Sequence, residues 1–224
     1  MRVHRSFAFV DILGFTALTE HEGDERAVEV LAAFRRLLRD ICGRRGVRIA
    51  KWLGDGAMLV GVETQPLLAT ILELHYVVGA VPGPAQKTPI RSGVTSGDVI
   101  LMEGDDYIGH CVNVAARLCD LAEEGEALAD SSVMSDLPPW GIARSRREVA
   151  LRGVEHTVLA WSIGMPEAIA VRSRDPICGL PLSEATAQEI APDGLGSEVL
   201  FCSISCLETW LQRPAAPREP SPVG

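Results

Sequence analysis

Asp11 and Asp55 are the residues of this chain best suited to do chemistry. Asp11 interrupts the apolar run Phe7-Ala8-Phe9-Val10-Asp11-Ile12-Leu13, and Asp55 sits within Lys51-Trp52-Leu53-Gly54-Asp55-Gly56-Ala57-Met58-Leu59. A carboxylate among strand-forming side chains loses hydration worth several kcal/mol unless a cation or strong donors replace it. If the two meet in space their charges repel, and a divalent ion is the usual remedy. Each also has a plainer reading. Asp11 can end a strand, and Gly54-Asp55-Gly56 is a good hairpin turn by composition alone.

A third segment, Asp106-Tyr107-Ile108-Gly109-His110-Cys111-Val112-Asn113-Val114-Ala115-Ala116-Arg117-Leu118, favours the metal reading. Together the three resemble the class III nucleotidyl cyclases. The pattern of that family is an Asp before an Ile/Leu-Gly-Phe-Thr run, a Lys-x-x-Gly-Asp hairpin, and an Asp preceding Gly-x-x-Val-Asn-x-Ala-x-Arg. The resemblance covers about the first 165 residues, with all three motifs in order. It implies that Asp11 and Asp55 hold two Mg²⁺ or Mn²⁺ ions, with the backbone carbonyl of Ile12 as a further ligand. It also implies that Asn113 orients the ribose, that Arg117 stabilises charge in the transition state, and that Arg91 contacts the polyphosphate. For Arg91 an ordinary strand-edge arginine is the alternative.

Base choice falls on Lys51 and Asp106, which have the family spacing of an adenine-reading pair. Adenine offers an acceptor at N1 and a donor at N6, which a lysine and an aspartate complement, whereas guanine favours Glu with Cys or Ser. A one-residue shift would put Asp105 in place of Asp106. Trp52 stands where a small or β-branched residue is usual, and His110 where an Asp is common. The family assembles its site across a two-fold interface, so the resemblance implies a homodimer with ATP as the small-molecule partner.

Composition sets outer limits. At 224 residues the chain can bury one substantial core and carry a small second module. The formal net charge of −9 argues against a nucleic-acid partner. No apolar run approaches the roughly 20 residues that span a bilayer, so a membrane is not expected as a partner and a cytoplasmic location is. In such a compartment the six cysteines would form no disulfide framework.

The elements that must position these groups can be read from periodicity. A strand is expected over 6–13, then a helix from an Asp24 N-cap to about Cys42, stopped by Gly43. A hairpin at 47–53 and 57–62 surrounds Asp55, and a helix follows near 65–79. Strands at 89–95 and 98–103 precede a helix over 109–121, on which Asn113 and Arg117 share a face. Short strands near 126–129, 143–150 and 157–163 complete residues 1–165. The order predicts an α+β, ferredoxin-like cyclase sheet with helices on one face.

A linker is expected at 166–174, a small cysteine module at 175–211 and a disordered tail at 212–224. Asp175-Pro176-Ile177-Cys178-Gly179 with Phe201-Cys202-Ser203-Ile204-Ser205-Cys206 resembles the YHS or TRASH type of metal-binding domain. That resemblance implies Cys178, Cys202 and Cys206 as thiolate ligands for Zn²⁺ or Cu⁺. The alternative is that they pack a hydrophobic cluster with Phe201 and Trp210. Cys42, Cys111 and Cys119 are expected in the core. The functional expectation is an adenylyl cyclase making 3′,5′-cyclic AMP and pyrophosphate. The alternatives are a guanylyl cyclase, or a non-catalytic nucleotide-binding domain that signals through the cysteine module.

Overall fold

The computed structural model describes residues 1–80, 89–102, 106–166, 173–174, 181–182, 201 and 204–212. The chain divides into two compact units, Met1–Ala168 and Ile169–Gly224. In the first, β1 (Arg2–Ile12) is followed by α1 (Phe15–Glu22), α2 (Asp24–Arg44), the hairpin β2 (Arg48–Leu53) and β3 (Gly56–Gly61), and α3 (Thr64–Ala80). Then come β4 (Ile90–Leu101), β5 (Tyr107–Ile108), α4 (His110–Leu121), β6 (Ala127–Asp130), a 3₁₀ turn over Ser131–Asp136, β7 (Ile142–Val149) and β8 (Val158–Gly164).

One sheet runs in the order β2-β3-β1-β4-β6-β8-β7, with β5 beside β4, and only the β4–β6 pair is parallel. β1 lies inside it between β3 and β4, which is why Ser6, Phe7 and Ala8 are all buried. A strand covered on both faces has no solvent side on which to alternate.

Both faces carry helices, which corrects the expectation of one. Successive strand residues point to opposite faces, and the contacts separate accordingly. Phe7 packs with Cys111 and Ala115 of α4, while the adjacent Ser6 hydroxyl bonds Thr64 at the start of α3 at 2.7 Å. On β4, Gly93 lies under α4, where a Cβ would clash with the Ala115 carbonyl and the Cys119 amide, while Ser92 bonds His75 of α3.

The remaining differences are local. The expected strands 89–95 and 98–103 are a single β4 of 12 residues, because Gly97 continues the β1 ladder opposite Arg5 instead of turning. Asp24 is the first helical residue of α2, not its cap; Gly23 takes that place with no side-chain bond, and the helix runs past Gly43 to Arg44. The short α1, with no buried residue, has no apolar stripe by which periodicity could find it. α2 does have one, burying Ala27, Val30, Phe34, Leu38 and Ile41.

Behind α2, Glu73 of α3 is 1% exposed and receives Arg44 at 3.0 Å and Arg45 at 2.6 Å. Cys42, Cys111 and Cys119 are buried, as expected, and burial pushes the Cys42 and Cys119 thiols up to about 12. They are packing residues and not nucleophiles.

In the second unit the described elements are β9 (Ser173–Arg174), β10 (Pro181–Leu182), paired antiparallel, and α5 (Ile204–Leu211). Phe201 is buried and meets Trp210 edge-on, with ring centroids 6.0 Å apart. Cys206 lies on α5, and the positions expected to complete its ligand set, Cys178 and Cys202, lie outside the described residues.

Candidate active site

Asp11 is the last but one residue of β1, and the ladder sets Arg91 of β4 directly opposite. The Arg91 guanidinium donates to Asp11 Oδ2 through Nε at 3.0 Å and Nη2 at 2.8 Å, and through Nη1 to the Asp120 carbonyl of α4 at 2.8 Å. With 28% and 23% of the two side chains exposed, this pair is better shielded than a surface ion pair. β4 lies inside the sheet, so Arg91 is not a strand-edge arginine. Ile12, whose carbonyl the resemblance implicates, ends β1 opposite Ile90 with its side chain buried.

The β2–β3 hairpin carries Asp55 to the same place. Leu53 pairs with Gly56, leaving Gly54-Asp55 as a two-residue turn in which Gly54 takes a φ of 66°. A residue without Cβ adopts that conformation freely. Gly56 then abuts β1: a Cβ on it would stand 2.7 Å from the Val10 carbonyl oxygen and 3.3 Å from Asp11 Oδ1. The hairpin reading and the metal reading of Asp55 are therefore compatible, since the turn is what delivers the carboxylate.

Burial raises the Asp55 carboxyl above its ordinary range; the nearby charge of Asp11 raises it further, against the lowering effects of its own backbone hydrogen bond and of Arg91. Two hard oxygen donors, one of them destabilised as an anion by the charge of the other, fit a divalent cation. Among the described residues no group of three or more His, Cys, Asp or Glu could hold a metal. Mg²⁺ does not need one, because it commonly takes one or two carboxylates and completes its shell with water and substrate phosphates.

Lys51 of β2 donates to Asp106 Oδ1 at 2.7 Å, and the Tyr107 amide donates to the same oxygen at 3.0 Å. The Lys51 hydrogen bond and charge hold the Asp106 carboxyl below its ordinary range. Asp106 is thus the aspartate that meets Lys51; Asp105 lies outside the described residues.

On α4 the apolar stripe Cys111, Val114, Ala115, Leu118 and Cys119 is buried, while Asn113 and Arg117 are exposed on the other side. Arg117 Nη1 bonds Asp120 Oδ2 at 2.9 Å within the helix. The sequence motifs therefore come together as two groups, Asp11 with Asp55 and Arg91, and Lys51 with Asp106. Asn113 and Arg117 are bonded to neither.

Sequence reading passed over Asp120, which holds Arg117 through its carboxylate and Arg91 through its carbonyl. Its signal was the i, i+3 spacing from Arg117. It also passed over Arg35 of α2, whose Nη2 donates to the Gly54 carbonyl at 2.9 Å.

No family model matches the chain. Among curated proteins it is 34% identical over 154 residues to a pH-sensitive adenylate cyclase of Mycobacterium tuberculosis, covering 65% of this chain and 38% of that protein. It is 31% identical over 155 residues to an uncharacterized protein of the same species, covering 69% of this chain and 40% of that protein. The chain thus spans about 40% of the length of the curated relatives it matches. The solved guanylyl cyclase Cya2 superposes with a TM-score of 0.66 at 21% identity, covering 75% of this chain and 95% of that one. The adenylyl cyclase CyaB from P. aeruginosa gives 0.61 at 23% identity, covering 73% and 94%. The fold is that of a nucleotidyl cyclase catalytic domain. The described part of this cyclase fold contains no helix long and apolar enough to cross a membrane.

Proposed function

We propose that the chain is an adenylyl cyclase, converting ATP to 3′,5′-cyclic AMP and pyrophosphate at a site shared between two copies of itself. The observation that carries the reading is the Lys51–Asp106 contact, which joins residues far apart in the chain into one donor-acceptor pair beside the hairpin that bears Asp55. An ionised Asp106 accepts from the adenine 6-amino group and the Lys51 ammonium donates to N1. Guanine would set its O6 acceptor against that carboxylate.

In the reaction the ribose 3′-oxygen forms a bond to the α-phosphorus, the bond from that phosphorus to the bridging oxygen breaks, and pyrophosphate carries away the displaced electron pair. The 3′-hydroxyl proton passes to solvent. Asp11 and Asp55 would hold the divalent ions, which when bound activate the attacking oxygen and neutralise the triphosphate. Asn113 fixes the ribose so that its 3′-oxygen lies in line with the leaving group. Arg117 stabilises charge that grows on the phosphoryl oxygens, for which the planar guanidinium is better shaped than an ammonium. In this reading a second copy supplies Asn113 and Arg117 to each site, and their exposure on α4 supports it.

The deciding experiment incubates the purified chain with ATP or GTP and Mn²⁺ and identifies the product. Cyclic AMP from ATP is the expected result. Cyclic GMP as the main product would assign a guanylyl cyclase, and no cyclic product from either would leave the non-catalytic reading.

A further inference from the structure

We infer that Arg35, on α2, is a positioning residue for Asp55: it latches the hairpin against α2 so that the Asp55 carboxylate is held toward Asp11. The inference rests on the reading of Asp11 and Asp55 as a metal pair. Three observations carry it.

Arg35 Nη2 donates to the carbonyl of Gly54, the residue immediately before Asp55 and the one that takes the left-handed φ of 66°. A hydrogen bond at that carbonyl fixes the peptide plane from which Asp55 projects. No other side-chain bond to the turn is seen among the described residues.

The same guanidinium lies over the Trp52 ring, 4.8 Å from its centroid, and Arg39, one helical turn on, lies 5.2 Å from it. Cations over an indole face within about 6 Å are attracted to it. Trp52 is the unexpected residue of the hairpin, and its contact with α2 explains what so large a side chain does there: it gives the arginines a flat surface to lie on.

The Arg35 Nε, finally, is buried with no hydrogen-bond partner among the described residues. An unmade donor is costly, so this orientation is not the one that best satisfies Arg35 itself. It is the one that reaches the Gly54 carbonyl while the guanidinium stays on Trp52. Lysine could not do both, having a point charge in place of a planar fork.

Residues that orient a metal ligand without touching the metal commonly alter affinity 10–100-fold when lost. The test is Mn²⁺ binding by the full chain in the presence of 3′-deoxy-ATP, which cannot cyclise, read by electron paramagnetic resonance beside thermal melting. Arg35→Ala is expected to weaken Mn²⁺ binding about 10-fold with the melting temperature nearly unchanged. Arg39→Ala keeps the Gly54 bond and is expected to bind as wild type. Asp55→Asn, which removes the ligand itself, is expected to lose the site.

Wild-type affinity in Arg35→Ala alongside loss in Asp55→Asn overturns the latch and leaves the metal pair standing. Wild-type affinity in Asp55→Asn overturns the metal pair, and the latch with it. If Arg35→Ala does not fold, Arg35→Lys decides: weakened binding in a folded protein supports the latch, and unchanged binding overturns it.

Discussion

Asp11 and Arg91 face each other across the β1–β4 ladder, and one carboxylate oxygen takes two guanidinium hydrogen bonds, at 3.0 and 2.8 Å. Arg91 thus balances the charge of Asp11 while tying β1 to α4 through the Asp120 carbonyl. A guanidinium so placed fixes the orientation of the Asp11 carboxylate.

If Arg91 serves the polyphosphate, Arg91→Ala raises the KM for ATP roughly 10-fold, the effect of losing one charge-assisted contact of about 1.5 kcal/mol. Steady-state kinetics checks this. An unchanged KM with a lowered melting temperature would reduce Arg91 to a strut between β1 and α4.

Asp11→Ala and Arg117→Ala should each be inactive alone yet regain activity when mixed, because a mixed dimer contains one site with all its residues. Up to about a quarter of wild-type turnover is expected, since half of randomly paired dimers are mixed and each has one working site of two. Absence of recovery with subunit exchange demonstrated would argue against a shared site.

Much of this arrangement was legible in the sequence because it rests on local chemistry. Gly54-Asp55-Gly56 between two strand-forming runs favours a hairpin, and the stripe from Cys111 to Cys119 leaves Asn113 and Arg117 outward by helical geometry. What was not legible depends on contacts distant in sequence. Covering both sheet faces requires that Gly93 admit α4, and that strand residue carries no mark of the helix above it. The Arg35–Gly54 bond likewise crosses from α2 to the hairpin. Nor does anything in the spacing of Arg35 and Arg39 along α2 show that Trp52 lies beneath them.

Glu73 is fully buried between two arginines, and removing one member of such a group strands the others. Glu73→Gln should destabilise the first unit by about 3 kcal/mol. For a unit of this size that lowers the melting temperature by about 6–12 °C, with little effect on nucleotide binding because no site residue touches Glu73. A change below about 2 °C would mean that solvent screens the group far better than its burial indicates.

His75 gives the fold a dependence on pH. Its Nδ1 donates to the Gly125 carbonyl at 3.1 Å, which leaves Nε2 to accept from the Ser92 hydroxyl at 2.7 Å. Burial lowers its pKa from 6.5 to about 4, helped by the positive charge of Arg144 and opposed by the Gly125 bond. The unfolded chain therefore takes up a proton before the folded one does. Stability from this group is complete above about pH 6.5 and falls as pH drops toward 4. Because the ring retains some solvent access, the loss is on the order of 1–2 kcal/mol and not the full linkage value. Melting curves between pH 7 and 4 should slope less for His75→Gln than for wild type; parallel curves would show that His75 is not the group responsible.

The final prediction concerns the choice of base. Lys51 and Asp106 form one donor-acceptor pair, with the ammonium bonded to a single carboxylate oxygen. Such a pair matches a base edge that offers an acceptor to the ammonium and a donor to the carboxylate, as adenine does. Guanine offers the reverse, leaving two like-polarity contacts that cost several kcal/mol when water is excluded. Lys51→Glu with Asp106→Cys reverses the pattern and should turn a preference for ATP into one for GTP, measured as the ratio of kcat/KM values. Each single variant should lose ATP activity without gaining GTP activity, because half a recognition pair leaves a polar group unmatched for either base. A double variant that still prefers ATP would place base recognition elsewhere in the site.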